Sequence, residues 1–198
     1  TILLKRGNFS YDVKSIPHTS DKFNANHIHI KDLNAKIALN ALNKDSIHAE
    51  IKKMSFEESS GFSLKKLALE VSATKDSTVL RHLEIKLPQT NLKIDQAHIL
   101  TENVDSLPAL LNDSPVILDM NPSQICLKDL SAFVPAFRNF SETIELTADI
   151  SGYINDIFLK QLTLKYSDKM LFVGKMNMKD ISDPQKAHLI GEVNKLYI

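Results

Sequence analysis

The run Thr143-Ile-Glu-Leu-Thr-Ala-Asp-Ile150 decides the fold class. Ile144, Leu146, Ala148 and Ile150 alternate with Glu145, Thr147 and Asp149. Period-2 alternation puts the apolar side chains on one face of a strand and the polar ones on the other. The pattern continues outward in both directions. Upstream, runs begin at Ile28, Ala35, Ile47, Leu67, Leu83, Leu92 and Ile125; downstream, they begin at Leu162 and Phe172. The intervening positions hold mostly Lys, Asp, Glu, His, Asn, Ser and Thr.

The breaks between runs carry turn chemistry: Gly7-Asn8, Asn43-Lys44-Asp45, Ser60-Gly61, Lys75-Asp76-Ser77 and Ser167-Asp168-Lys169. The seven prolines are expected at or outside strand ends, where a missing N–H does little harm. Most connections are too short for a crossover helix, so about a dozen strands should follow in antiparallel meander order. The expected fold is mainly β: a long curled antiparallel sheet, a β-groove or open sandwich. One or two short helices accompany it, in an insert at about 106–140. One begins at Ser106. The other, Asp129 to Phe140, would put Phe133, Phe137 and Phe140 on one face, against a core or plugging one end of a trough. Pro135 sets the start of that helix or kinks it.

A four-residue element recurs: an apolar residue, two polar and usually charged residues, and a second apolar one. It appears as Ile30-Lys-Asp-Leu33, Ile51-Lys-Lys-Met54, Leu64-Lys-Lys-Leu67, Ile94-Asp-Gln-Ala97, Leu127-Lys-Asp-Leu130, Leu159-Lys-Gln-Leu162 and Met178-Lys-Asp-Ile181. A spacing of three sends the second half of a strand to the wrong face. A β-bulge absorbs the extra residue and bends the strand. Repeated bends curl a long sheet. The element spaced by about 32 residues, from Leu64 through Ile94 and Leu127 to Leu159, suggests a repeating unit of two or three strands.

Composition narrows the function. The 198 residues carry 24 basic and 24 acidic side chains, and only Arg6, Arg81 and Arg138 are Arg. A neutral, Arg-poor chain lacks the basic footprint of a nucleic-acid binder. No run reaches the roughly 18 apolar residues of a membrane span. One Cys excludes an intrachain disulfide and a multi-Cys zinc site. No phosphate loop, zincin motif or nucleophile elbow is present. Glu57-Glu58 reads as a solvated hairpin end. Cys126 reads as a structural thiol pointing away from the Ile125 face. His27 and His29 share a strand face and could hold a metal. The sequence shows no third ligand nearby, so they read as a surface pair. No catalysis, cofactor or metal is expected. Both ends fall within strand patterns, so the chain reads as a single fragment, 1–198, of a repetitive domain cut at each end.

Two segments carry a family resemblance: ILLKRGNFSYDV (residues 2–13) with PHTSDKFNANHIHIKDLNAKIAL (17–39), and DLSAFVPAFRNFSETIELTADISGYINDIFLKQLTLKY (129–166). The chain resembles the middle region of TamB-like translocation and assembly module proteins of Bacteroidetes, within the AsmA-like group. The resemblance implies a periplasmic location, with the full-length protein anchored in the inner membrane. It implies an outer-membrane barrel assembly partner outside this fragment. It also implies an apolar-lined trough that passes phospholipid between the membranes or guides outer-membrane proteins. The candidate lining for phospholipid acyl chains is Ile28, Ile30, Leu33, Ile37, Leu39, Ile47, Ile51, Leu64, Leu67, Leu69, Val71, Leu83, Ile85, Leu92, Ile94, Ile125, Leu127, Ile144, Leu146, Ile150, Leu159, Leu162, Leu164, Phe172, Met176 and Met178. Two other readings stay open: a scaffold that captures nascent strands along its edges, and a closed β-sandwich adhesin or binding module with a dry core.

Overall fold

A computed structural model describes residues 1–18, 22–43, 46–100, 114–153, 155–180 and 185–198. It shows one antiparallel sheet of eleven strands in strict sequence order. The strands are β1 (Ile2–Asp12), β2 (His27–Leu42), β3 (Ser46–Glu58), β4 (Ser63–Thr74), β5 (Ser77–Lys86) and β6 (Asn91–Leu100). They continue as β7 (Val116–Cys126), β8 (Thr143–Tyr153), β9 (Asp156–Tyr166), β10 (Met170–Lys179) and β11 (His188–Tyr197). The sheet is curled and not closed; its edges are β1 and β11. With ten inter-strand gaps of about 4.8 Å, it extends about 48 Å across its strands.

The predicted helices are corrected in part. The one at Ser106 lies outside the described residues. Asp129 to Phe140 is not one helix but two 3₁₀ turns, η1 (Leu127–Leu130) and η2 (Pro135–Asn139). Pro135 is the reason. It pushes Val134 to extended backbone, φ −125° and ψ 91°, which ends any helix arriving from Asp129. Phe133 therefore falls between the turns, apart from the Phe137–Phe140 ring pair.

Two further expectations change. Gly7-Asn8 is not a turn but lies inside β1, at a register shift with β2. Pro122 lies inside β7, between Met120 and Ser123, where the pairing with β8 also shifts. Bulges are where a strand tolerates proline.

The four-residue element is confirmed as a bulge where it lies within a strand. Ile30 and Leu33 pair with Phe9 and Gly7, so β2 spends three steps where β1 spends two. Ile51–Met54 bulges against β4, Leu64–Leu67 against β3, and Leu159–Leu162 against both β8 and β10. Ile94–Ala97 lies opposite Leu80-Arg-His-Leu83 on β5. Both strands carry the element there, so their mutual register stays even. Leu127-Lys-Asp-Leu130 is η1 instead, and Met178 starts the end of β10. Leu4-Lys-Arg-Gly7 on β1 and Leu80–Leu83 are further instances. The roughly 32-residue spacing is the length of one hairpin.

The third residue of the element commonly takes the left-handed backbone that lets the extra residue leave the ladder. Arg6, Asp32, His82, Gln161 and Asp180 all have φ between 47° and 54°. An L side chain in that region costs on the order of 1 kcal/mol. These bulges fall at corresponding positions on neighbouring strands, from Gly7 through Leu33, Met54, Leu67, Leu83 and Ile94 to Met120 and Leu162. Each bulge bends and twists its strand locally.

The exposed Gln161 tests this backbone most cleanly. Gln161→Val is expected to lower stability by about 1–2 kcal/mol, because a β-branched residue resists positive φ. Gln161→Gly should be neutral or stabilising in the same urea titration. Equal losses for both would mean that the bulge is not left-handed there.

Candidate functional site

Strand register assembles the candidate lining into one surface. Ile37 pairs with Ile51, Ile51 with Leu69, Val71 with Leu80, Leu80 with Ala97, and Ala97 with Leu118. Leu118 pairs with Ile150, Ile150 with Leu159, Leu159 with Met176. A parallel row runs through Leu67, Ile85 and Leu92. Another runs through Ile125, Ile144 and Tyr166, and beside it Leu146, Leu164, Phe172 and Leu196. Paired residues share a face. The bulges keep Ile28, Ile30 and Leu33 on the same face as Ala35 and Ile37. Leu127 is the exception: it sits in η1, beyond the end of β7.

This face is continuous and largely uncovered. Of the predicted lining, only Leu64, Ile94, Leu159 and Leu162 are buried. Leu39 and Ile47 are exposed, and the rest are half-buried. No second layer covers them among the described residues, because the sheet is single. The tightest packing is local, around Ala148, Leu159 and Leu162. Sequence reading missed Leu80, Ala97, Ile99, Val116, Leu118 and Met120, which complete the floor. Their signal was present as alternation, but the bulges at His82 and Pro122 interrupt it. Gly174 belongs to the same surface and has a packing reason. A Cβ there would strike the Glu192 carbonyl of β11 and press the Phe172 ring at 3.1 Å.

The opposite face is polar and carries ion pairs, most of them between neighbouring strands. Lys66 and Lys86 both hold Glu84, Lys165 meets Glu145, and Lys175 meets Glu192. The hydrogen bonds from Lys66 and then Lys86 keep the Glu84 carboxyl below its usual range, against a smaller opposing effect of burial. Two shallow depressions open on this polar side. One lies near Thr147, Thr163 and Lys165, the other near Lys5, Lys36 and Lys53.

The connections at one end of the strands are stitched into a rim. Phe23 N–H, between β1 and β2, donates to Ala132 O at 2.7 Å. Phe133 sits between the rings of Phe23 and Phe62, at 5.2 and 4.9 Å, and Phe62 meets Phe56 at 6.0 Å. Gln89 N–H, in the β5–β6 turn, donates to Asp129 at 2.8 Å. The η1–η2 connection therefore joins the β1–β2, β3–β4, β5–β6 and β7–β8 links. Cys126 is fully buried beneath it, its thiol directed at the Phe140 and Ser141 carbonyls. That fits a structural thiol.

Glu58 corrects an expectation. Glu57 is solvated and pairs with Lys65, but Glu58 is only 6% exposed. Its carboxylate accepts from the His29 and Ser60 N–H groups and from the Ser59 and Ser60 hydroxyls. Burial works to raise its pKa, yet these donors together hold it below the usual carboxylate range. The side chain thus locks the Glu58–Gly61 turn, which closes through Gly61 N–H to Glu58 O at 2.9 Å with Gly61 at φ +96°. Two adjacent acidic residues gave no sign of which one turns inward.

The histidine pair is also more than a pair. Across the ladder, Asp12 lies opposite His27, and Ser10 opposite His29. His27 Nδ1 is 3.0 Å and His29 Nε2 3.2 Å from Asp12 Oδ1. His18, in the β1–β2 connection, stacks on His27 at 3.6 Å and reaches Asp12 Oδ1 at 3.9 Å. The His27 hydrogen bond holds the Asp12 carboxyl below its usual range against desolvation, aided by the charges of His29, His27 and His18. Sequence spacing could not bring Asp12 and His18 to this point, because strand pairing does so.

No protein-family model, curated protein or solved structure matches the chain. No helix among the described residues is long and apolar enough to cross a membrane.

The Glu58 turn has a defined pH signature. A carboxyl whose folded-state pKa is depressed stabilises the fold above its unfolded value, about 4.3, and that stability is lost as pH falls through the folded value. Glu58→Gln should cost about 1–2 kcal/mol at pH 7. In acid titrations of urea stability, the gap between the two chains should shrink below pH 4. A gap that stays constant from pH 7 to pH 3 would contradict the assignment.

Proposed function

We propose that the chain is a non-enzymatic segment of an apolar-lined β-groove that carries phospholipid between the inner and outer membranes. The same groove would serve outer-membrane protein assembly if its cargo were an unfolded strand. The observation that carries the reading is the continuous apolar face, crossing all eleven strands without a second layer. Leaving such a face in water is costly, at about 25 cal/mol per Å². Acyl chains relieve that cost without specific polar contacts, at about 0.8 kcal/mol for each buried CH2. The resemblance to TamB-like proteins supports the same reading. On that reading the parent protein would be periplasmic, anchored in the inner membrane, with an outer-membrane barrel partner. Zero formal net charge suits a zwitterionic headgroup at the rim.

Native mass spectrometry of the purified chain should detect bound phospholipid. The chain should also speed transfer of a fluorescent phospholipid between phosphatidylcholine vesicles. Leu67→Glu with Leu164→Glu, both half-buried on the floor, should cut transfer about tenfold or more. Lys93→Glu, exposed on the polar side, should leave it unchanged. Absence of bound lipid together with transfer at the blank rate would overturn the reading. Selective capture of unfolded barrel peptides would then favour the assembly role.

A further inference from the structure

We propose that Asp12, His18, His27 and His29 bind one divalent transition-metal ion of the zinc class. A tetrahedral ion with bonds of about 2.0–2.1 Å holds its donors about 3.3 Å apart. The three imidazole nitrogens that face Asp12 Oδ1 lie 3.0, 3.2 and 3.9 Å from it, spanning that spacing. The donor atoms of Asp12, His18 and His27 all fall within 4.8 Å of one another. His29 stands outside that group of three, close to Asp12 alone, and would join as the fourth donor by a side-chain rotation, while the His18 side chain, 68% exposed, is free to tighten its 3.9 Å approach.

The outer partners fit a metal as well as the inner ones. Ligating histidines commonly engage their second ring nitrogen with a carbonyl or another polar group, which fixes the tautomer. His27 Nε2–H donates to the Ile16 carbonyl at 2.8 Å. The Ser10 hydroxyl stands 3.3 Å from His29 Nδ1. With Nε2–H held by Ile16, loss of the Nδ1 proton that now bonds Asp12 frees the His27 Nδ1 lone pair for the ion, and His29 would ligate through Nε2, 3.2 Å from Asp12 Oδ1. Three imidazoles and one carboxylate suit zinc and its neighbours, whereas calcium and magnesium call for oxygen donors. Four protein donors leave no open coordination position, so the ion is structural. It ties β1, β2 and the connection between them at the stitched rim. The site lies on the polar side of the sheet and is independent of the groove reading.

The test is calorimetric titration of zinc chloride into the tag-free, chelator-stripped chain. One equivalent should bind, and cobalt should give the visible absorption of a tetrahedral centre. His18→Ala with His29→Ala should weaken zinc binding about tenfold or more. If that pair fails to fold, His18→Ala alone makes the same comparison, because its ring is exposed. No zinc uptake, an octahedral cobalt spectrum, or uptake unchanged in the variants would overturn the proposal. Unchanged uptake would place the ion on other histidines, such as His48, His82 or His98.

Discussion

In a strand whose side chains alternate with period 2, one extra residue sends every later side chain to the opposite face. This sheet meets that constraint strand after strand. Apolar residues spaced by three, such as Leu159 and Leu162, stay on one face only because the backbone loops out a residue between them. At several of these bulges the loop-out uses positive φ, which Arg6, Asp32, His82 and Gln161 adopt without being glycine. The local strain keeps the apolar face continuous. Each bulge also bends its strand.

A flat sheet of eleven strands would leave two broad faces and two long edges in water. Here the single sheet carries its apolar residues on one side and ion pairs such as Lys66–Glu84–Lys86 on the other. Leu67, Leu83 and Leu164 are half-buried on that apolar side, which no second layer covers among the described residues. A small residue admits close packing at Ala148, beside Leu159 and Leu162. The rim is held by a different means. Aromatic contacts through Phe133, the carboxylate of Glu58 and the backbone of Ala132 bind successive connections to each other.

The strand array was legible in the sequence because alternation and short turns are local signals. So were the bulges, since the four-residue element is local too. The two-turn conformation of residues 127–139 was less legible. A stripe at Phe133, Phe137 and Phe140 matches a helix, and Pro135 decides against it. What could not be read were the contacts that strand pairing makes across distance. His27 meets Asp12 and His18 only after β1 and β2 have paired, and Phe23 meets Phe133 only when η1 folds back along the rim. Glu58 turns inward because four donors converge on it, and none of the four is visible as a motif.

The central claim is that the apolar face is an open surface filled by acyl chains. Photo-crosslinking with a phospholipid bearing a reactive group along its acyl chain tests this most directly, with adducts mapped by peptide mass spectrometry. The account predicts adducts on Leu67, Leu83, Leu118, Leu146 and Leu164, spread over successive strands of one face. Adducts on Lys53, Lys93, Glu145 and Lys165 of the polar face, or none above the level of a non-binding control protein, would contradict it.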